Sequence, residues 1–232
     1  MIKLVVLDWN GTLLSDTNAC MAADNHVIKY FGGNPVSLKA YRDTIIIPSN
    51  KFYAQHGCKM NQLVRESKKL GRIFHSFYEE RAKKCRARKG TKEMLKWLHS
   101  NSIDSIILSN HTTNGIVFQL KRLKLDGYIR EILANNELDT SMKERNKLKK
   151  LRDYVERNHY KKNEILIIGD STEESEIAKR LGIQSALITD GYYSTKRLKK
   201  SKPDYIINNL TDLKKIIGGQ KSTFLTKSIR TA

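Results

Sequence analysis

Met1-Ile2-Lys3-Leu4-Val5-Val6-Leu7-Asp8-Trp9-Asn10-Gly11-Thr12-Leu13 is the stretch on which the reading of the fold turns. Residues 3–7 form a short, β-branched apolar run that ends on an acid and a glycine turn. A run of that kind reads as a strand buried on both faces, which occurs in parallel sheets. Three more runs share the pattern, at 105–108, 165–168 and 185–188, and a fifth at 205–207 follows Pro203-Asp204. Between them the apolar spacing changes to that of helices. Met94, Leu95 and Leu98 share a face within 91–101, as do Ile116, Val117, Leu120 and Leu123 within 114–123. Leu148, Leu151 and Val155 do so within 147–155, and a helix over 173–181 ends at Gly182, a natural C-cap. Strands alternating with helices of this length predict an α/β fold, a parallel sheet covered on both faces.

The segment 16–89 breaks the alternation. Its patterns, such as 18–31 and 60–84, are helical, and no pair of strands is legible there. The expected organisation is a core built from 1–15 and 90–217, and a small all-helical cap of 16–89 inserted after the first strand. A polar tail over 218–232 is expected to lack order.

The chain has 232 residues and is 39% hydrophobic, enough for one α/β domain and a small appendage. No apolar run approaches the roughly 20 residues of a membrane span. The N-terminal apolar stretch is too short for a signal peptide, so a cytoplasmic location is expected. Cys20, Cys58 and Cys85 form no CxxC pair and no Cys/His metal spacing, which fits a reducing compartment. Lys and Arg number 43 against 24 Asp and Glu, a formal charge of +19. Such a charge steers phosphate-bearing ligands inward and makes nucleic acid an alternative partner. The densest basic stretches are 83–89 and 196–200, although lysines spread this evenly read more simply as solvated faces.

Four segments carry the candidate chemistry. Asp8, at a strand end and followed by the Asn10-Gly11-Thr12 turn, can present a carboxylate beyond the sheet edge, where open parallel sheets bind ligands. Taken alone, it is also an ordinary turn. Ser109, ending the run 106–108 and followed by Asn110 and His111, can hydrogen-bond a phosphoryl oxygen. Gly169-Asp170, with Glu174 four residues on, puts two carboxylates around one turn at a helix start, an oxygen set that suits Mg²⁺. A lysine on the helix beginning near 143–147 can neutralise charge on a transferring group. Lys147 suits the usual spacing to Asp170, and Lys143 is the alternative.

In this order and spacing the four segments resemble the motifs of the haloacid dehalogenase-like superfamily, over residues 1 to about 217. The resemblance implies a Rossmann-like core and a magnesium-dependent phosphatase that forms an aspartyl-phosphate on Asp8. It implies Mg²⁺ held by Asp8, the backbone carbonyl of Asn10 and Asp170, with Glu174 beside them. Ser109 and the lysine would hold the phosphoryl oxygens, with Gly11, Thr12, Asn110 and His111 around the substrate. The helical insert resembles the small cap of the phosphoglycolate-phosphatase-like branch. The substrate is then a small phosphorylated metabolite, sugar phosphate or nucleotide.

Two residues depart from that pattern. Asn10 stands where an Asp usually protonates the leaving group, and an amide exchanges no proton near neutral pH. Glu174 replaces an Asp, with the same charge and a longer reach. Two alternatives follow: a catalytically weak scaffold that binds a polyanion, and a phosphatase for nucleotides or nucleic-acid ends. The Asp-Trp-x-Gly-Thr run is also similar to phosphonatases, whose Schiff-base lysine would be one of Lys51, Lys59, Lys68 and Lys69. His56, His75, Arg65 and Arg72 read first as cap surface, and Trp9 as either pocket wall or sheet packing.

Overall fold

In the computed structural model, which describes residues 1–219, strand β1 (Leu4–Leu7) has all four side chains fully buried. It is enclosed because it pairs with a parallel strand on each side. The chain continues through five helices, α1 (Thr17–Tyr30), α2 (Leu38–Thr44), α3 (Ser49–Gln55), α4 (Met60–Arg65) and α5 (Ser67–Ala82). It then enters α6 (Thr91–Ser100), β2 (Asp104–Thr112), α7 (Thr113–Leu123), β3 (Glu131–Asn135), α8 (Thr140–Lys143) and α9 (Lys147–Arg157). The remainder is β4 (Ile165–Gly169), α10 (Thr172–Leu181), β5 (Gln184–Ile188), α11 (Thr195–Lys200), β6 (Tyr205–Ile207) and α12 (Leu213–Ile217).

The six strands are parallel, in the order β3-β2-β1-β4-β5-β6. Successive residues of β1 point to opposite faces and build two cores. Val5 and Leu7 join Leu95, Leu98, Ile116 and Leu120 from α6 and α7. Leu4 and Val6 join Leu151, Tyr154 and Ile177 from α9 and α10. A third core lies within the helical insert, where Val27, Ile28, Phe52, Leu70 and Phe74 pack together. Leu187, Tyr193 and Leu198 from the sheet side complete it, so the insert is packed onto the body of the molecule.

The α/β architecture with a helical insert follows the sequence reading, and two local details differ from it. The pattern over 60–84 is two helices rather than one, interrupted at Glu66, next to which the Ser67 hydroxyl donates to Asp139 at 3.1 Å. The edge strand β3 carries no long apolar run because four of its five residues are only half-buried. Trp9 is wholly buried in the core under β1, not in the pocket wall. The basic stretch 83–89 is the return connection from the insert: Ala87 bridges to Leu14, and Arg88 donates to the Thr189 carbonyl at 2.8 Å. The tail expected to lack order lies outside the described residues from position 220 onward.

Leu166, the second residue of β4, is fully buried and belongs to the larger core. Leu166→Ala is expected to lower the unfolding free energy by about 2–5 kcal/mol. Urea denaturation should show a lower midpoint with an unchanged slope.

Candidate active site

The strand order reverses between β1 and β4, so the connections leaving their carboxyl ends diverge and open a crevice. Asp8 follows β1 and Asp170 follows β4, and both are buried and line one cavity of about 210 Å³. Lys147, the first residue of α9, reaches in between Asp8 and Glu174. Its ammonium lies 2.9 Å from Asp8 Oδ1 and 2.8 Å from Glu174 Oε1, and the side chain is only 3% exposed. A lysine at a helix N-terminus opposes the helix dipole. Two carboxylates in contact with the same ammonium outweigh that cost. The other Glu174 oxygen accepts the Ser171 hydroxyl at 2.7 Å, so both its oxygens are engaged and Glu174 stands behind the cavity rather than in its wall.

Burial pushes the Asp8 carboxyl well up, Lys147 opposes the shift, and Glu174 and Asp170 add to it. For Lys147, burial would lower the ammonium, but Asp8 and Glu174 outweigh it and hold it well above its usual range. Asp170 is pushed up to about 6, mainly by burial and with Glu174 contributing, against the Tyr192 amide and Thr12 hydroxyl. Asp8 and Glu174 share the one ammonium, and Asp170 acts on Asp8 as a further acid, so acids outnumber the cation in this buried site.

Gly11 makes the turn after Asn10 possible. Its φ is +70°, and a Cβ there would lie 2.2 Å from Asp170 Oδ2. Thr12 is fully buried and donates to Asp170 Oδ1 at 3.0 Å, while the Tyr192 amide donates to Oδ2. Gly11 and Thr12 therefore hold Asp170 and do not line the cavity. Asn10 does line it, with its amide turned aside, donating to Asp16 Oδ2 at 2.7 Å and to the Tyr78 hydroxyl at 2.8 Å. Asp16 also accepts from the Gly11 amide at 2.7 Å, the Tyr78 hydroxyl at 2.6 Å and the Tyr192 hydroxyl at 2.9 Å. An amide at position 10 suits this acceptor, whereas a carboxylate would meet Asp16 as a like charge.

Ser109, Asn110 and His111 all face the cavity from the end of β2. The Ser109 oxygen accepts the His111 amide at 3.1 Å, and Asn110 donates to Glu173 at 2.8 Å. Lys143 is remote from this assembly: it pairs with Asp139 at the surface side of α8 and does not line the cavity. Lys51, Lys59, Lys68 and Lys69 are exposed and outside the cavity, as are Arg65 and Arg72. His56 is half-buried against Thr44, whereas His75 is buried and lines the cavity.

The family model of haloacid dehalogenase-like hydrolases matches residues 5–188. The chain belongs to that family. Among its relatives are phosphoglycolate phosphatases of Pseudomonas fluorescens and Vibrio parahaemolyticus. The first is 23% identical over 220 residues, covering 91% of this chain and 78% of the relative. The second is 23% identical over 222 residues, covering 93% and 96%. Among solved structures, a haloacid dehalogenase-like hydrolase of Streptococcus pneumoniae superposes with a TM-score of 0.78 at 20% identity, covering 93% of this chain and 98% of that one. A predicted phosphatase of Clostridium acetobutylicum gives 0.79 at 18%, covering 94% and 99%. These likenesses carry the fold of the whole described chain, insert included.

Several residues of the cavity wall have no signature in the sequence. Asp24, Tyr41, Tyr78 and Arg145 sit in amphipathic or polar patterns that look like ordinary helix and loop, and only folding turns them inward. Asp24 is fully enclosed and accepts the Tyr53 and Tyr41 hydroxyls at 2.6 and 2.7 Å. Burial pushes its carboxyl from 3.8 up to about 6, against the pull of those two tyrosines.

An acid raised in this way is kept protonated by the folded chain while the unfolded chain releases its proton. Stability therefore falls as pH rises from about 4 to about 6, by about 3 kcal/mol for this group, and is level above. Asp24→Asn is expected to remove that component. The difference between wild-type and variant unfolding free energies, followed against pH, should change across this window and be flat above it.

Proposed function

We propose that this hydrolase is a magnesium-dependent phosphatase that cleaves a small phosphomonoester through an aspartyl-phosphate on Asp8. One observation carries the reading: a buried ammonium, Lys147, bridges the carboxylate after β1 and Glu174 beside a cavity that Asp170 also lines. Surplus buried negative charge and hard oxygen donors suit a divalent cation, and Mg²⁺ fits such a set best. Asp8, the Asn10 backbone carbonyl and Asp170 would hold it, with Glu174 acting through Lys147. Bound there, the ion supplies neutralisation of the phosphoryl oxygens next to Asp8.

The chain's own groups account for the remaining steps. A carboxylate oxygen of Asp8 attacks phosphorus in line, the ester P–O bond breaks, and the alcohol leaves with a proton drawn from solvent. Water then attacks the phosphoryl group, releasing phosphate and restoring Asp8. Lys147 offsets charge on Asp8 and the phosphoryl group throughout, and the Ser109 hydroxyl holds a phosphoryl oxygen. The helices of 16–89 act as a cap that keeps bulk water from the cavity, with 1–15 and 90–217 as the catalytic core. A cavity of about 210 Å³ suits a small metabolite, and Arg197 on its wall offers charge to a second anionic group. Phosphoglycolate, named in the relatives, is the first compound to test.

Purified protein with Mg²⁺ is expected to turn over p-nitrophenyl phosphate and at least one member of a panel of small phosphomonoesters. Asp8→Asn should lose at least about 10³-fold in kcat. Absence of turnover across the panel, or an Asp8→Asn variant at wild-type rate, overturns the proposal.

Asn10 contributes a second expectation. A carboxyl at position 10 would face Asp16, so one of the two would keep its proton to higher pH and could donate it. Asn10→Asp is expected to raise kcat on alkyl phosphates by roughly 10²-fold, the low end of general acid catalysis, with little gain on p-nitrophenyl phosphate. Equal effects on both substrates would remove proton donation at this position from the account.

A further inference from the structure

Three side chains unused by the phosphatase reading meet at the seam between the helical insert and the sheet. His75 and Glu79 lie one turn apart on α5, and His111 comes from the end of β2. One donor atom from each lies within 4.8 Å of the others. His111 Nε2 is 3.0 Å and His75 Nδ1 is 3.9 Å from the same Glu79 oxygen. The two imidazoles stack with centroids 5.2 Å apart and planes 21° from parallel.

Both histidines are more than nine-tenths buried, at 6% and 7% exposure, and the two nitrogens that face Glu79 have no hydrogen-bond partner. Buried ring nitrogens left without a partner are uncommon and costly. Burial, with His111 adding to it, pushes His75 toward its neutral form, although Glu79 and Leu138 oppose the shift. Burial would raise Glu79, but its contacts with His111 and His75 hold it at about 2, so the carboxylate stays ionised. The arrangement is thus a carboxylate facing two buried imidazole nitrogens that make no hydrogen bond.

The surroundings agree with a ligand at this point. Gly115, at the start of α7, keeps the space open: a Cβ there would lie 2.5 Å from His111 Nε2 and 2.9 Å from Glu79 Oε1.

We propose that His75, Glu79 and His111 bind a divalent transition-metal ion, Zn²⁺ by the chemistry of the donors, and that this ion ties α5 of the insert to the end of β2. Two imidazoles and one carboxylate form a borderline-soft, three-ligand set that leaves a fourth position open. Residues i and i+4 of one helix present their side chains on the same face, so His75 and Glu79 form a chelating pair to which the sheet adds the third ligand. The Asp8–Asp170 site, all oxygen, selects a harder ion, so the two sites can be filled independently.

The test uses the full-length, metal-stripped protein in excess Mg²⁺, titrated with Co²⁺ as a spectroscopic substitute for Zn²⁺. The expected result is one equivalent of Co²⁺ with the intense visible bands of four-coordinate nitrogen–oxygen ligation, displaced by Zn²⁺. The bands should be lost in His75→Ala and in the conservative Glu79→Gln, and kept in Asp170→Asn. Zn²⁺ should raise the thermal midpoint of the wild type and leave that of Glu79→Gln unchanged. Weak six-coordinate bands alone overturn the proposal, as do bands that survive both His75→Ala and Glu79→Gln, or that vanish with Asp170→Asn. None of these readouts depends on phosphatase turnover.

Discussion

A buried lysine held between two carboxylates is the interaction on which the rest of the site depends. Lys147 begins α9, Asp8 follows β1 and Glu174 lies in the first turn of α10, so one ammonium ties together three elements distant in sequence. Removing such ions from water costs several kcal/mol each, and their attraction offsets this only when geometry is good and the remaining oxygens are satisfied. Both conditions hold for Glu174. Both Lys147 contacts are shorter than 3 Å, and Ser171 takes the second Glu174 oxygen. The carboxylate at the mouth of the crevice is thereby fixed in direction while still open to the cavity.

Around that centre a second group of contacts sets the insert against the sheet. Asp16 gathers the Gly11 amide, the Asn10 amide and the hydroxyls of Tyr78 and Tyr192. Tyr78 belongs to α5 and Tyr192 to the connection after β5, so one carboxylate joins the turn after β1, the helical insert and the far side of the sheet. Asn10 is part of this assembly as a donor. Its amide makes sense of a position where a carboxyl would instead meet Asp16 as a like charge, and the cavity keeps a polar, uncharged group beside Asp8.

The large positive charge has a local reading in the folded chain. Arg88 and its neighbours in 83–89 form the return strap from insert to core, and Arg145 is paired with Glu173 and Glu176 at 3.0 and 2.7 Å. Among the described residues no helix is long and apolar enough to cross a membrane. Lys147 and Arg145, both on the cavity wall, are engaged by acids, which positions them.

The α/β class, the helical insert and the family were legible in the sequence because each rests on local order: apolar runs of strand length, helical spacing, and motif residues at strand ends. Asp8, Ser109 and Asp170 could be singled out because a strand end in a parallel sheet opens onto the crevice wherever the chain goes next. The edge strand β3 was not legible, since a half-buried strand needs few apolar residues. Between Lys143 and Lys147 spacing only leaned one way. Which lysine reaches the carboxylates depends on where α9 starts relative to β1 and α10, a relation that exists only once the sheet is assembled. The cavity wall of Asp24, Tyr41, Tyr78 and His75, and the meeting of His75, Glu79 and His111, belong to tertiary structure alone. Those residues come from three helices of the insert and the end of β2, and no spacing along the chain records how these elements pack.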